Sequence, residues 1–399
     1  MINDRILIVG AGPAGLSAAA YLTNRGIPVS IFETESSLPE NLRASTFHPP
    51  TLDLLEPYGA SKSLIMQGLV ASKFQYRDRE KGCLAEFDFK LIADETNHPY
   101  RVQCEQFKLN IYLKSWLQCM GADSIYFNHT ITKLKQDDEG VTIFAKTPEG
   151  EKKFSGKWLI GTDGANSIIR KLSSIRFEGF TWEEKFLVVS TKYEYEKALT
   201  NLSLVNYFAD PEQWFFLLKV PNLWRVMFPI QNIEKDPLVF KKEEIEMQLK
   251  WVDPTGKNFE VSHTTLYNVH QKIASNYREG RVFLAGDAAH INNPLGGMGM
   301  NGGIHDAFNL AEKLAAVWHN EQPLTLLNVY EKQRRIVALE YVNKKSIKNK
   351  NNLEAKSPED QEAFRSFLTD LMLSDTKAKD YLMDVSMLSS LRNVQNINF

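Results

Sequence analysis

Four apolar residues, Ile6-Leu7-Ile8-Val9, run directly into Gly10-Ala11-Gly12-Pro13-Ala14-Gly15. A short, wholly apolar strand needs cover on both faces, which places it in a parallel sheet flanked by helices. The glycines have separate tasks: Gly10 for a tight turn, Gly12 for close approach of backbone N–H groups to a pyrophosphate, and Gly15 for close packing of helix on strand. Pro13 and Ala14 open a helix whose N-terminus carries the anion. That helix ends near Gly26, and Pro28-Val29-Ser30-Ile31-Phe32 reads as a second strand ending in Glu33, 18 residues past Gly15. This is close to the spacing at which a carboxylate holds ribose hydroxyls, so a dinucleotide with a free 2′-hydroxyl is expected, FAD or NAD rather than NADP. The competing reading is a packing turn beside a solvated glutamate. Strand, turn, helix, strand and acid in register favour the nucleotide.

The 399 residues exceed one ordinary core, so two domains are expected. With 47 basic against 49 acidic residues the net charge is −2, and no field favours nucleic acid or an anionic membrane. Cys83, Cys104 and Cys119 form no CxxC pair, and no signal peptide is visible, which points to the cytoplasm. No apolar run approaches the roughly 20 residues that span a bilayer.

Further along, Pro49-Pro50 opens a helical pattern, and residues 72–76 and 85–89 alternate like antiparallel strands. From Gln106 a helix repeats Leu109, Leu113 and Leu117 on one face, and Asp137 to Gly140 is a hairpin turn. Residues 157–161 return as a buried strand. The aromatic stretch from 180 to 230 reads as a second sheet with one face available to a ligand. Arg281 to Asp287 then restores the first strand type, and a helix is expected over 304–318. Lys344, Lys345, Lys348 and Lys350 read as a solvated helix face, and Ser357-Pro358 as a helix start.

Two more strand-end motifs follow. Gly161-Thr162-Asp163-Gly164, closing at Arg170, leaves a buried strand and opens a helix, although an Asp-Gly pair alone is only a turn. Gly286-Asp287-Ala288-Ala289-His290 precedes a glycine loop, Pro294 to Gly303. An aspartate at a strand end suits ribityl hydroxyls, and a glycine loop before a helix presents N–H groups where a flavin gains negative charge on reduction.

In this order and spacing the three motifs resemble the class A FAD-dependent aromatic hydroxylases, the para-hydroxybenzoate hydroxylase family, over roughly residues 4–340. Gly10, Gly12, Gly15 and Glu33 match the segment that holds the ADP half of FAD. Asp163, Gly164 and Arg170 match the second motif, and Gly286, Asp287, His290 and Pro294 the third. Arg43 looks like the family's arginine beside the cofactor, and Gln106 its glutamine at the start of the connecting helix. Gly296, Gly297, Gly299, Met300 and Asn301 match the loop lining the flavin ring. The resemblance implies an α/β fold: a discontinuous Rossmann-like FAD-binding domain (1–70, 100–180, 272–350), an inserted antiparallel substrate sheet (71–99, 181–271) and a helical C-terminal cap (351–399).

It also implies a chemistry. Noncovalent FAD takes hydride from NADH or NADPH, reacts with O2 to give a C4a-hydroperoxide, and one oxygen passes to an aromatic or polycyclic small molecule. Tyr207, Phe216, Met227, Phe228 and Pro294 are the expected pocket walls, with packing in the inter-domain core as the alternative for the aromatic ones. His48, His290 and Tyr207 are the candidates for moving a phenol proton. The family's hydroxybenzoate-binding residues have no match in the 180–230 sheet, so that substrate is not implied. A flavin halogenase, an isoprenoid reductase, an antibiotic-inactivating monooxygenase and a non-enzymatic flavin sensor remain as alternatives. The halogenase tryptophan motif is absent, and the complete 294–303 loop argues for turnover.

Overall fold

The computed structural model describes residues 4–40, 42, 44–122, 125–231, 240–395 and 397. Strand Ile6–Val9 lies inside a six-stranded sheet, between Val29–Phe32 and Trp158–Gly161. Val282–Leu284 and Ile125–Tyr126 extend it in parallel on the two sides, and Arg278–Glu279 closes one edge antiparallel. All residues of the three inner strands are buried, as both-face cover demands. Helices Pro13–Asn24, Gln106–Cys119 and Met298–Trp318 share one core with this sheet and with a three-stranded meander over residues 130–156.

The aromatic stretch forms an eight-stranded sheet. Its order is His290–Ile291, Val261–Ala274, Phe177–Thr191, Leu223–Ile230, Phe215–Val220, Val205–Phe208, Lys73–Asp78 and Gly82–Asp88. The early strands over 73–88 thus join the later ones in one sheet. Its pairs are antiparallel except Val205–Phe208 with Lys73–Asp78, which is parallel. One face carries Phe74, Tyr76, Phe186, Tyr207, Phe216 and Met227 and packs against the C-terminal helices. The other carries Leu187, Phe208, Phe215 and Phe228 and is covered by helix Lys242–Val252.

Two local expectations are corrected. The long helix begins at Met298 rather than 304, so the glycines of the loop form its first turns. Each helical glycine costs about 0.5–1 kcal/mol relative to alanine. The reason for keeping one is visible at Gly303, where a Cβ would come within 2.9 Å of the Gly286 Cα. The lysine run is a solvated face only in part: Lys344 and Lys348 are exposed, but Lys345 is half-buried and Lys350 is buried. Lys350 is 3% exposed, 2.9 Å from Glu184 and paired also with Glu354, while its ammonium lies over the Trp182 ring. Lys345 pairs with Asp384 across to the C-terminal helices. Those helices, Pro358–Met372, Asp375–Val385 and Leu388–Gln395, follow the Ser357 cap, whose hydroxyl accepts the Asp360 N–H at 3.1 Å. No helix among the described residues is long and apolar enough to cross a membrane.

Candidate functional site

The first glycine turn is built around contacts that leave no room for side chains at two of its positions. A Cβ at Gly10, whose φ is +105°, would lie 2.4 Å from the Thr162 carbonyl oxygen. One at Gly15 would lie 2.1 Å from the Gly10 oxygen and 2.6 Å from Thr162 Oγ1. Gly12 differs: a Cβ there meets nothing within 4 Å, and the residue caps the helix with no side-chain hydrogen bond. The result is an open cradle at a helix N-terminus, where the unpaired N–H groups of the first turn face outward. Glu33 stands beside it, its Oε2 accepting the Ala11 N–H at 2.9 Å and its Oε1 the Glu35 N–H at 3.1 Å. Cradle, helix end and acid together fit the ADP half of a dinucleotide.

The other two motifs converge on the same turn. Asp163 accepts from Ser167 Oγ (2.5 Å) and from the Ile168 and Ile169 N–H groups (2.7 and 3.1 Å), which shapes the loop carrying Gly164. Burial pushes the Asp163 carboxyl up despite these donors. Arg170 ties the second motif to the third, donating to the Ala165 and Ala288 carbonyls at 2.8 Å each. Gly286, at φ +62°, faces Ala14 of the first helix and Gly303 of the long helix, and Asp287 is exposed at the carboxyl end of its strand.

The glycine loop lies farther along. Gly296 and Gly297 both have positive φ (+95° and +67°), and Gly297 caps the long helix, so Met298, Gly299 and Met300 form its first turn. Asn301 is fully buried and acts as a clamp: its Oδ1 accepts the His48 N–H (3.0 Å), and its Nδ2 donates to Thr46 O (2.8 Å) and Gly297 O (2.7 Å). His48 is also fully buried and donates from Nε2 to the Gly296 carbonyl at 2.8 Å. Burial and then the nearby Arg101 hold its pKa well below the ordinary histidine range, so the ring is neutral and its unpartnered Nδ1 is an acceptor. Gln106 opens the connecting helix, its backbone N–H donating to Ala44 O at 3.0 Å. Arg43 lies outside the described residues.

Beside Gly296 and Met298 opens a cavity of about 830 Å³. The sheet contributes Phe74, Tyr76 and Tyr207, the short strand Arg101–Gln103 contributes Arg101, and the C-terminal helices contribute Phe367, Leu371 and Tyr381. The hydroxyls of Tyr76 and Tyr381 are 2.9 Å apart, and Arg101 Nη1 approaches the Tyr207 hydroxyl at 3.4 Å. Burial pushes the Tyr76 hydroxyl up to about 12, which keeps it protonated at neutral pH.

A known family, described as the FAD binding domain, matches residues 4–345. The chain belongs to it. Its relatives are FAD-dependent aromatic monooxygenases. Para-nitrophenol 4-monooxygenase of Pseudomonas sp. (strain WBC-3) is 31% identical, with 98% of each chain covered. The 6-hydroxy-3-succinoylpyridine 3-monooxygenase of Pseudomonas putida (strain DSM 28022 / S16) is 28% identical over 90% of this chain and 91% of the relative. Among solved structures, p-nitrophenol 4-monooxygenase from Pseudomonas putida DLL-E4 has a TM-score of 0.89 at 28% identity, covering 97% of this chain and 98% of that one. An anhydrotetracycline hydroxylase from Streptomyces rimosus has a TM-score of 0.79 at 26% identity, covering 96% and 76%.

Not every expected site residue of this monooxygenase reaches the cavity. Tyr207 does. Phe216 and Met227 sit on the same sheet face, packed against each other's strands and behind the lining. Phe228 is a correction: it faces the opposite side with Phe215 and helix Lys242–Val252, because adjacent residues of a strand point to opposite faces. Pro294 is exposed at the start of the loop. His290 is 2% exposed and also away from the lining; its Nε2 donates to Asp306 Oδ2 at 2.8 Å. Asp306 also accepts the Gly286 N–H (3.1 Å) and pairs with Arg334 (2.6 Å), which makes His290 part of the girder beneath the Gly286 turn. Arg101 is the residue that sequence reasoning passed over. A single arginine between Tyr100 and Val102 carries no local sign of burial.

Proposed function

We propose that this FAD-dependent monooxygenase, with NADH or NADPH as co-substrate, inserts one oxygen atom from O2 into a monocyclic phenol. The observation that carries the reading is the 830 Å³ cavity, walled by aromatic rings and opening at Gly296 and Met298, within the chain that also forms the dinucleotide turn. Its size is that of ordinary small-molecule sites. Matching over nearly the whole length of two nitrophenol monooxygenases supports a one-ring substrate over a polycyclic one.

In this reading Gly10, Gly12, Pro13, Ala14 and Gly15 receive the pyrophosphate, and Glu33 the adenosine ribose. Asp163 and Gly164 shape the loop beside it, and the exposed Asp287 meets the ribityl hydroxyls. Gly296, Gly297, Gly299 and Met300 present the long helix's N-terminus to the flavin ring, where its partial positive charge favours developing negative charge. His48 and Asn301 hold that loop in place rather than touching substrate, and Tyr207 with Tyr76 orients the ring hydroxyl. The FAD-binding unit is 1–70, 100–180 and 272–350, the substrate sheet 71–99 and 181–271, and the cap 351–399. Three free cysteines support a cytoplasmic setting.

When bound, FAD supplies the redox chemistry, taking hydride from the nicotinamide and activating O2. The chain's own part is to bind, to orient the ring and to exclude water. The test is to reconstitute the protein with FAD and follow NADH and NADPH oxidation with a panel of phenols. Oxidation stimulated by a monocyclic phenol is expected; stimulation by polycyclic ligands alone would replace this substrate class.

A further inference from the structure

We infer that Arg101 is the anion-recognition residue of the cavity, and that the ring it selects carries an oxyanion, a phenolate or a carboxylate. This rests on the phenol reading above and sharpens it. Arg101 is 1% exposed, yet among the described residues it makes no ion pair, and its Nε has no hydrogen-bond partner. Its two terminal contacts, to the Tyr207 hydroxyl at 3.4 Å and Val385 O at 3.5 Å, are at the outer limit for hydrogen bonds.

Other buried arginines have shorter contacts, and this sets Arg101 apart even though Arg77 shares its unpartnered Nε and its lack of an ion pair among the described residues. Arg334 has Asp306 at 2.6 Å, Arg77 has Gln75 Oε1 at 2.6 Å, Arg170 has two carbonyls at 2.8 Å, and Arg225 has Ser45 Oγ at 3.1 Å. Arg101 instead lies over the faces of Phe74 (4.8 Å) and Phe89 (5.3 Å), which position the guanidinium without neutralising it. A buried charge is normally paired because its desolvation is otherwise uncompensated. Here the pairing position faces the cavity, so the missing partner is the ligand.

The surroundings favour the same sign. The lining carries six cationic side chains (Arg101, Lys345, Lys348, Lys377, Lys379 and Arg392) against Glu95, Asp380 and Asp384. Most of these charges are already paired: Lys345 with Asp384, Lys377 with Asp370, Lys379 with Asp94 and Glu95, and Arg392 with Glu95. That leaves Arg101 and Lys348 against Asp380 as the lining charges with no ion pair among the described residues, and Arg101 is the buried one. An aromatic ring bearing the oxyanion stacks among Phe74, Tyr76 and Tyr207 while the planar guanidinium donates to the oxygen.

The experiment titrates the FAD-loaded enzyme by calorimetry with 4-nitrophenol, its neutral ether 4-nitroanisole, and 4-hydroxybenzoate at a pH where the nitrophenol is ionised. Wild type is expected to bind one of the two anions about 10-fold or more tighter than the ether. Arg101→Met should weaken that anion by about 10- to 100-fold and the ether by less than about threefold, with Arg101→Lys between them. Which anion shows the preference separates phenolate from carboxylate recognition. Flavin content and melting temperature of both variants identify misfolding, and in that case wild-type selectivity alone decides. Equal wild-type affinity for ether and anions, or equal losses for both in a folded variant, overturns the role of Arg101. Phenol-stimulated NADH or NADPH oxidation that persists alongside such a result would leave the broader reading standing; its absence with every phenol would remove that reading instead.

Discussion

Gly15→Ala is expected to leave the protein unable to retain FAD and measurably less stable. The new methyl group would lie 2.1 Å from a backbone oxygen of Gly10 and 2.6 Å from Thr162 Oγ1, which itself donates to the Val9 and Gly10 carbonyls. Backbone at the end of a buried strand has little freedom to yield, so the helix must lift from the sheet. We expect a cost toward or beyond the top of the ~1–3 kcal/mol range for overpacking. FAD affinity should fall by more than about 100-fold, ~2.7 kcal/mol. Gly12→Ala is the control with the opposite signature: its φ of −81° suits alanine and its Cβ meets nothing, so stability should stay within about 0.5 kcal/mol while FAD is lost. Flavin-to-protein ratios after gel filtration and urea midpoints of the apoproteins measure both. A Gly12→Ala protein that holds FAD like wild type would show that the cradle is not the pyrophosphate site.

Asp306→Ala should produce the largest loss of stability of any single change at the site. Its carboxylate receives His290, Arg334 and the Gly286 N–H, all buried, and removing it leaves a guanidinium without its partner charge. Breaking such a pair from one side costs about 3–5 kcal/mol. The same group sets an acid limit. Burial alone would raise its pKa, but Arg334 and then His290 outweigh this and hold the carboxyl well below the usual range. A carboxylate depressed in the folded state contributes stability above its unfolded pKa, ~3.9, and that contribution is lost as pH falls toward the folded value. Chemical denaturation at neutral pH and across the acid range should show the Asp306→Ala deficit near neutrality and its narrowing in acid. A deficit below about 1 kcal/mol would mean that the girder beneath Gly286 is not what holds the turn.

These two variants also mark what was legible in the sequence. The nucleotide turn could be read because each glycine answers a local demand, and the structure adds the atoms behind Gly10 and Gly15. The convergence of the Asp163 and Gly286 motifs was legible as strand-end chemistry returning to one sheet. The clamp roles of Asn301 and His48, and the girder of His290, Asp306 and Arg334, were not, because all but one of their partners lie 16 to 255 residues apart. Met227 and Phe228 could have been separated from strand alternation alone. Arg101 and Lys350 needed the tertiary fold, since side chains from other elements bury them: Phe74, Phe89 and Tyr207 around the first, Trp182 and Glu184 around the second. The early start of the long helix was hidden because glycines argue against a helix until Gly303 is seen against Gly286.

The most direct test of the central claim follows the oxygen atom. The FAD-loaded protein is supplied with NADH or NADPH, a monocyclic phenol and ¹⁸O2 in ordinary water, and the product is analysed by mass spectrometry. The expected product has gained one oxygen atom, and that atom carries the ¹⁸O label. Nicotinamide oxidation without any oxygenated product, or a product whose new oxygen comes from water, would contradict it.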